Sequence, residues 1–143
     1  MALPALVTDP LAAESAVESA AFGLLERAHA RAVRATTAEM ATALQELLGQ
    51  KLTAAMTGVD DPKAVGKWAR GERAPRAGAE RRLRQAFHVA SLLTLAESAP
   101  TARAWLMGMN PLLADRAPAL VFAEDATGGE RVMRAARAFL AHG

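Results

Sequence analysis

An all-α fold, a helical bundle containing a helix-turn-helix, is predicted by three observations: an alanine-rich composition, apolar residues at three- and four-residue spacing, and no alternating run of strand type. Alanine loses no side-chain entropy in a helix and crowds no neighbouring turn, so its enrichment favours helix over strand. At 143 residues the chain is long enough for one domain with a substantial core, although only 4 Phe, 2 Trp and no Tyr supply aromatic bulk.

LAAESAVESAAFGLLERAHARAVRA, after Pro10, runs without proline and places Val17, Phe22, Leu24, Leu25 and Val33 at helical spacing, which predicts a long first helix. Glu14 and Glu18 come early and Arg27, Arg31 and Arg34 late, the order the helix dipole prefers. Its alanine-rich stripe suits close packing against this chain or a second copy. Thr36-Thr37-Ala38-Glu39 fits a capping box, so a second helix should carry Met40, Leu44, Leu47 and Leu48 and end at Gly49.

Gln50 to Thr57 should form a short helix with Leu52, Ala55 and Met56 inward, before Gly58 turns the chain. Asp61 caps the next helix and Pro62 occupies its first turn, where a missing amide costs nothing. That helix sets Val65 and Trp68 on one side and Lys63, Lys67 and Arg70 on another, and stops at Gly71. A long helix follows from Ala77 to about Ser98 through Leu83, Phe87, Ala90 and Leu93. Thr101 is expected to cap a helix bearing Trp105 and Leu106, and Gly108 to end it. Pro111 and Pro118 start further turns, and Thr127-Gly128-Gly129-Glu130 reads as a second capping box before a last helix.

With no cysteine, disulfides, thiolate metal sites and cysteine nucleophiles are excluded. The opening MALPALVTDP has no signal-peptide pattern and no run is long enough for a membrane span, so a cytosolic protein is expected. His29, His88 and His142 stand far apart, with no HExxH and no glycine-rich phosphate loop. An enzyme is therefore not expected, nor a metal or cofactor held by this chain.

The formal charge of +2 is unevenly spread: residues 1–60 carry net −3, whereas residues 61–84 carry net +5. An anionic partner would dock on the second stretch. A helix-turn-helix projects a short helix into the major groove and holds phosphates around it with basic side chains. Residues 50–57, 58–61 and 62–70 supply that order, with Lys63 and Lys67 projecting and Arg70, Arg73 and Arg76 holding the backbone. Gly66 is expected to leave a gap on or beside the reading face, and no Gln, Asn or Arg comes early in that helix, so phosphate contact is expected ahead of base readout.

LTAAMTGVDDPKAVGKWARGERAP, through Val65, Trp68, Gly71 and Pro75, resembles the degenerate helix-turn-helix half of the Xre/MbcA/ParS-type antitoxins. AWLMGMNPLLADRAPALVF, through Ala104-Trp105-Leu106, Asn110-Pro111, Leu113 and Pro118, resembles their toxin-binding half, so the likeness runs from about Thr36 to Gly143. The turn between Gly58 and Trp68 is one residue longer than in ordinary Xre-like domains, which weakens the expectation of sequence-specific repression.

The resemblance implies an antitoxin of a type II toxin-antitoxin pair, partnered by a RES-domain toxin that consumes NAD and whose active-site entrance it obstructs. NAD chemistry then belongs to the partner. Operator DNA and a homodimer within a hetero-oligomer complete the implied assembly. Three parts are expected: a helical extension at 1–35 that is a candidate dimerisation element, a helix-turn-helix domain at 36–76, and a toxin-binding region at 77–143. Toxin contacts are expected from Arg103, Trp105, Leu106, Asn110, Pro111 and Arg116, and from a tail in which Arg134, Arg137, His142 and Gly143 reach the toxin's NAD cleft. Trp105 also fits an intrachain core, and Asn110 and Pro111 a loop-shaping role. A stand-alone helix-turn-helix regulator and an oligomerising scaffold are the competing readings.

Overall fold

The computed structural model describes residues 10–142, which form eight α-helices and one 3-10 turn with no sheet. In chain order these are α1 (Pro10–Arg34), α2 (Thr37–Leu48), α3 (Gln50–Thr57), α4 (Pro62–Ala69), α5 (Ala77–Ala96), α6 (Ala99–Met107), the 3-10 turn Pro111–Leu113, α7 (Pro118–Val121) and α8 (Gly128–His142). No helix among the described residues is long and apolar enough to cross a membrane.

α5 is the central element, packed by α1, α2, α3, α6 and α8. Leu83, Ala86, Val89, Leu92 and Leu93 are fully enclosed on it, because neighbours surround it on several sides and no single apolar stripe would cover them. Met40, Leu44, Met56, Val65, Trp68, Leu106, Val121, Phe122 and Val132 join Leu83, Ala86, Val89 and Leu93 in one continuous core. Arg84 of α5 donates to the carbonyl oxygens of Ala32 and Ala35, satisfying orphan acceptors at the end of α1.

Thr36 and Glu39 form the predicted capping box, the Glu39 amide donating to the Thr36 hydroxyl at 3.1 Å and the Thr36 amide to the Glu39 carboxylate at 3.0 Å. Donation to the Glu39 carboxylate by the Thr36 amide first, and then by the Thr36 side chain, holds this exposed carboxyl below its ordinary pKa. Asp61 likewise accepts from the Lys63 amide at 3.0 Å, with Pro62 in the first turn of α4.

Three expectations are corrected. α3 buries Thr53, Ala54, Met56 and Thr57, whereas Ala55 is exposed and Leu52 half-buried. The threonines tolerate burial because their hydroxyls donate to Gly49 and Thr53 carbonyls of the preceding turn, at 2.8 and 3.0 Å. Ser98, not Thr101, caps α6: its extended backbone lets its hydroxyl accept from the Thr101 amide at 3.2 Å, and Pro100 lies inside the first turn. Thr127 makes no capping box, because its amide and hydroxyl both donate to the nearer carboxylate of Asp125, at 2.8 and 2.7 Å. α1 forms as the long first helix expected, and it buries only Ala28 and Ala32, while Val17, Phe22 and Val33 stand in solvent. The first half of α1 reaches past the helices that cover its second half.

Candidate functional site

α3, the turn through Gly58 and α4 follow one another in the chain and pack against α2. Gly58 adopts the left-handed conformation, and the amides of Gly58 and Val59 return to the Ala55 and Ala54 carbonyls, closing α3. Arg82 of α5 lies over Gly58 and packs the turn onto the body. Val65 and Trp68 are buried, so Trp68 anchors the unit as expected and is not available for stacking on bases.

Lys63, Lys67, Arg73 and Arg76 are exposed and have no ion pair among the described residues. Arg70 differs, because its guanidinium binds the Glu72 carboxylate at 2.8 Å. The hydrogen bond, and then the adjacent opposite charge, raise the Arg70 pKa and lower that of Glu72. Both side chains are exposed, so the pair stabilises little in water and a phosphate can compete for the guanidinium. Arg81, exposed at the start of α5, extends the same basic run; its place between Arg76 and Arg84 was the signal for it.

Gly66 is not a gap on the reading face. It is buried, and a Cβ built on it would lie 2.7 Å from Nε2 of Gln50, which shields this turn of α4. Gln50 also donates to Gln45 at 3.1 Å, so the residue that covers Gly66 is tied to the end of α2. Sequence reasoning missed it because Gln45 and Gln50 precede the turn.

The second candidate surface is the segment from α6 to α7. Leu106 is fully buried, so it supports α6 from within and makes no surface contact; Trp105 is half-buried, its ring centroid 6.2 Å from that of Phe139. Arg103 is exposed and donates to the Leu47 carbonyl at 3.3 Å. Asn110 shapes the loop, accepting from the Leu112 amide at 2.9 Å and bridging to Arg116 through its backbone. Arg116 pairs with Glu124, which also holds Arg131. Pro111 is exposed.

Around this frame Met107, Met109, Leu112 and Leu120 are exposed, with Met109 at 81%. Met107 and Met109 were missed because two methionines flanking a glycine show no helical period. Ala114 and Asp115 both hold positive φ, of 55° and 61°, a conformation disfavoured for residues with a Cβ and seen here where the loop is pinned back on Asn110.

Arg134 and Arg137 are exposed on α8 and face α5 across a cleft, and His142 is exposed at the helix end. Gly143 lies outside the described residues. No group of three or more metal-ligating side chains occurs among the described residues. His29 and His88, distant in sequence, are brought together with ring centroids 5.7 Å apart.

No family model matches the chain, and no curated protein or solved structure matches it at a significant level.

Proposed function

We propose that this chain is the antitoxin of a type II toxin-antitoxin pair, neutralising a RES-domain, NAD-consuming toxin by binding across its active-site entrance and contacting operator DNA through α3 and α4. The single observation that carries the reading is the exposed apolar run of Met107, Met109, Pro111 and Leu112 on the same chain as exposed α4 lysines that have no ion pair among the described residues. Bulky apolar groups beside pinned backbone suit a protein partner, since buried anchors provide most of an interface's energy. The sequence resemblance supplies the partner's class. On this reading the end of α8, with His142 and Gly143, reaches toward the toxin cleft.

The assembly we propose is a homodimer through α1. An antiparallel pair would set Glu14 and Glu18 of one copy against Arg27, Arg31 and Arg34 of the other and cover Val17 and Phe22.

The test is NAD consumption by a RES-domain protein encoded beside this chain, with and without the chain at equal amounts. Consumption that stops on formation of a stable complex supports the reading; no complex and no NAD loss would abandon it. A stand-alone regulator is the second reading, favoured by the exposed Lys63 and Lys67, which have no ion pair among the described residues, and it requires sequence-selective duplex binding without a protein partner.

A further inference from the structure

A cleft of about 370 Å³ separates α5 from α8, within the size range of small-ligand sites. Gln85, His88 and Val89 line it from α5, one turn apart, and Glu130, Met133, Arg134 and Arg137 from α8, also one turn apart. Gly129 permits the two helices to approach this closely, because a Cβ there would collide with the side-chain amide of Gln85. Gln85 therefore stands at the Glu130 end of the cleft, while Arg137 stands near His88 and His29 of α1 at the other.

Two guanidinium groups and the His88 imidazole thus line one cleft, with His29 beside His88 and Glu130 contributing a carboxylate from α8. Arg134 has no ion pair even with Glu130, one turn before it, and neither Arg134 nor Arg137 has a hydrogen bond among the described residues. His88 is half-buried there, and burial first, then His29 and Arg137, hold its pKa below the ordinary value. That crowding of positive charge is what a bound anion relieves.

We infer that the cleft between α5 and α8 binds a small phosphate monoester, with the phosphate on Arg134, Arg137 and His88 and the ester's hydroxyl groups on Glu130 and Gln85. The two ends are seven residues apart on α8, or about 10 Å at the helical rise, which exceeds the span of inorganic phosphate and suits a phosphorylated sugar. Val89 and Met133 supply the apolar wall between them. The guanidinium fork is suited to phosphate because it offers parallel donors to two oxygens.

The probes are ribose 5-phosphate and inorganic phosphate, titrated into the full chain at pH 7.5 by calorimetry, with the His88 ring proton followed by NMR. Ribose 5-phosphate is expected to bind saturably and more tightly than inorganic phosphate, and to move the His88 titration to higher pH. The double variant R134Q/R137Q, altering two exposed side chains, should weaken it by roughly 10-fold or more while leaving the circular dichroism unchanged, and E130Q should weaken the sugar phosphate but not the free ion. Absence of saturable binding up to about 10 mM, a very weak affinity on the usual scale, overturns the inference. So does binding that R134Q/R137Q leaves intact, and so does equal affinity for the two probes, which would leave the Glu130 end with no part in recognition.

Discussion

Gln50 lies over Gly66, its Nε2 at 2.7 Å from where a Cβ on that glycine would stand, and Arg70 Nη1 lies at 3.2 Å from the same point. Both obstacles are the ends of flexible, exposed side chains, so they can swing away. Gly66→Ala should therefore keep the fold and change stability by less than about 1 kcal/mol, the gain in helix propensity offsetting the displaced contacts. Gly128→Ala is the contrast: its Cβ would meet the backbone carbonyls of Val121 and Phe122, which cannot move aside. A loss of about 2 to 3 kcal/mol in urea unfolding is expected there. Equal effects of the two substitutions would mean that the α7–α8 approach is looser than this packing implies.

Lys63 and Lys67 are exposed on α4 with no ion pair among the described residues, so Lys63→Ala with Lys67→Ala should leave thermal stability within about 0.5 kcal/mol of the parent. Duplex DNA binding is where the pair should register. Removing two phosphate contacts is expected to reduce the slope of log affinity against log salt by about 1.8, at about 0.9 for each contact. An unchanged slope would move the DNA surface elsewhere, with Arg73, Arg76 and Arg81 the next residues to replace.

What the sequence made legible follows local chemistry. Thr36 with Glu39, Asp61 before Pro62, and Gly58 after α3 each act within four residues, and each forms as the sequence predicts. Ser98 and Thr127 show the limit, because in each case a better-placed neighbour competed for the same amide or hydroxyl. Periodicity found Trp68 and Leu83 as core residues but also pointed at Ala55, since a short helix enclosed by α2, α4 and α5 turns its broadest contact face inward rather than its most apolar one. The candidate site was less legible: Gln50 over Gly66, His29 beside His88 and the arginines opposite Gln85 are meetings of separate helices, which depend on packing angles that no local pattern encodes.

Met109 and Leu112 are exposed and hold nothing in the core, so replacing both by aspartate should leave folding intact. A toxin complex that uses this loop should lose roughly 30-fold or more in affinity, as expected when an interface anchor is removed. Ala114→Gly in the same loop relieves a left-handed backbone and should raise stability by about 0.5 to 1 kcal/mol. Native gel shift and urea unfolding separate the two effects, and full toxin binding by the double aspartate variant would remove this loop from the interface.

α1 offers the next test. Phe22→Asp with Val17→Asp touches side chains that are 61% and 68% exposed in the single chain, so monomer stability should barely change. If two α1 segments pair, light scattering should find a dimer for the parent and a monomer for the variant, with the dimer weakening as salt rises because Glu14 and Glu18 face arginines across the seam. A parent that is monomeric at micromolar concentration removes the dimer from the proposed assembly.

His88 sets a pH dependence whose sign follows from its surroundings. Burial, then His29 and Arg137, disfavour its charged form in the folded chain, so its folded pKa lies below the ordinary value. Above about pH 6.5 the group is neutral in both states and contributes its full stability. As pH falls, the unfolded chain takes up the proton first, and stability is lost progressively until pH passes the folded pKa. The urea midpoint should therefore be lower at pH 5.5 than at pH 7.5. His88→Gln keeps a polar side chain of similar reach but cannot be protonated, so it should shrink that difference. Glu39 and Asp125, whose pKa values are lowered, act in the same direction but at more acidic pH and remain ionised across this interval. An identical drop in parent and variant would assign the dependence to another histidine.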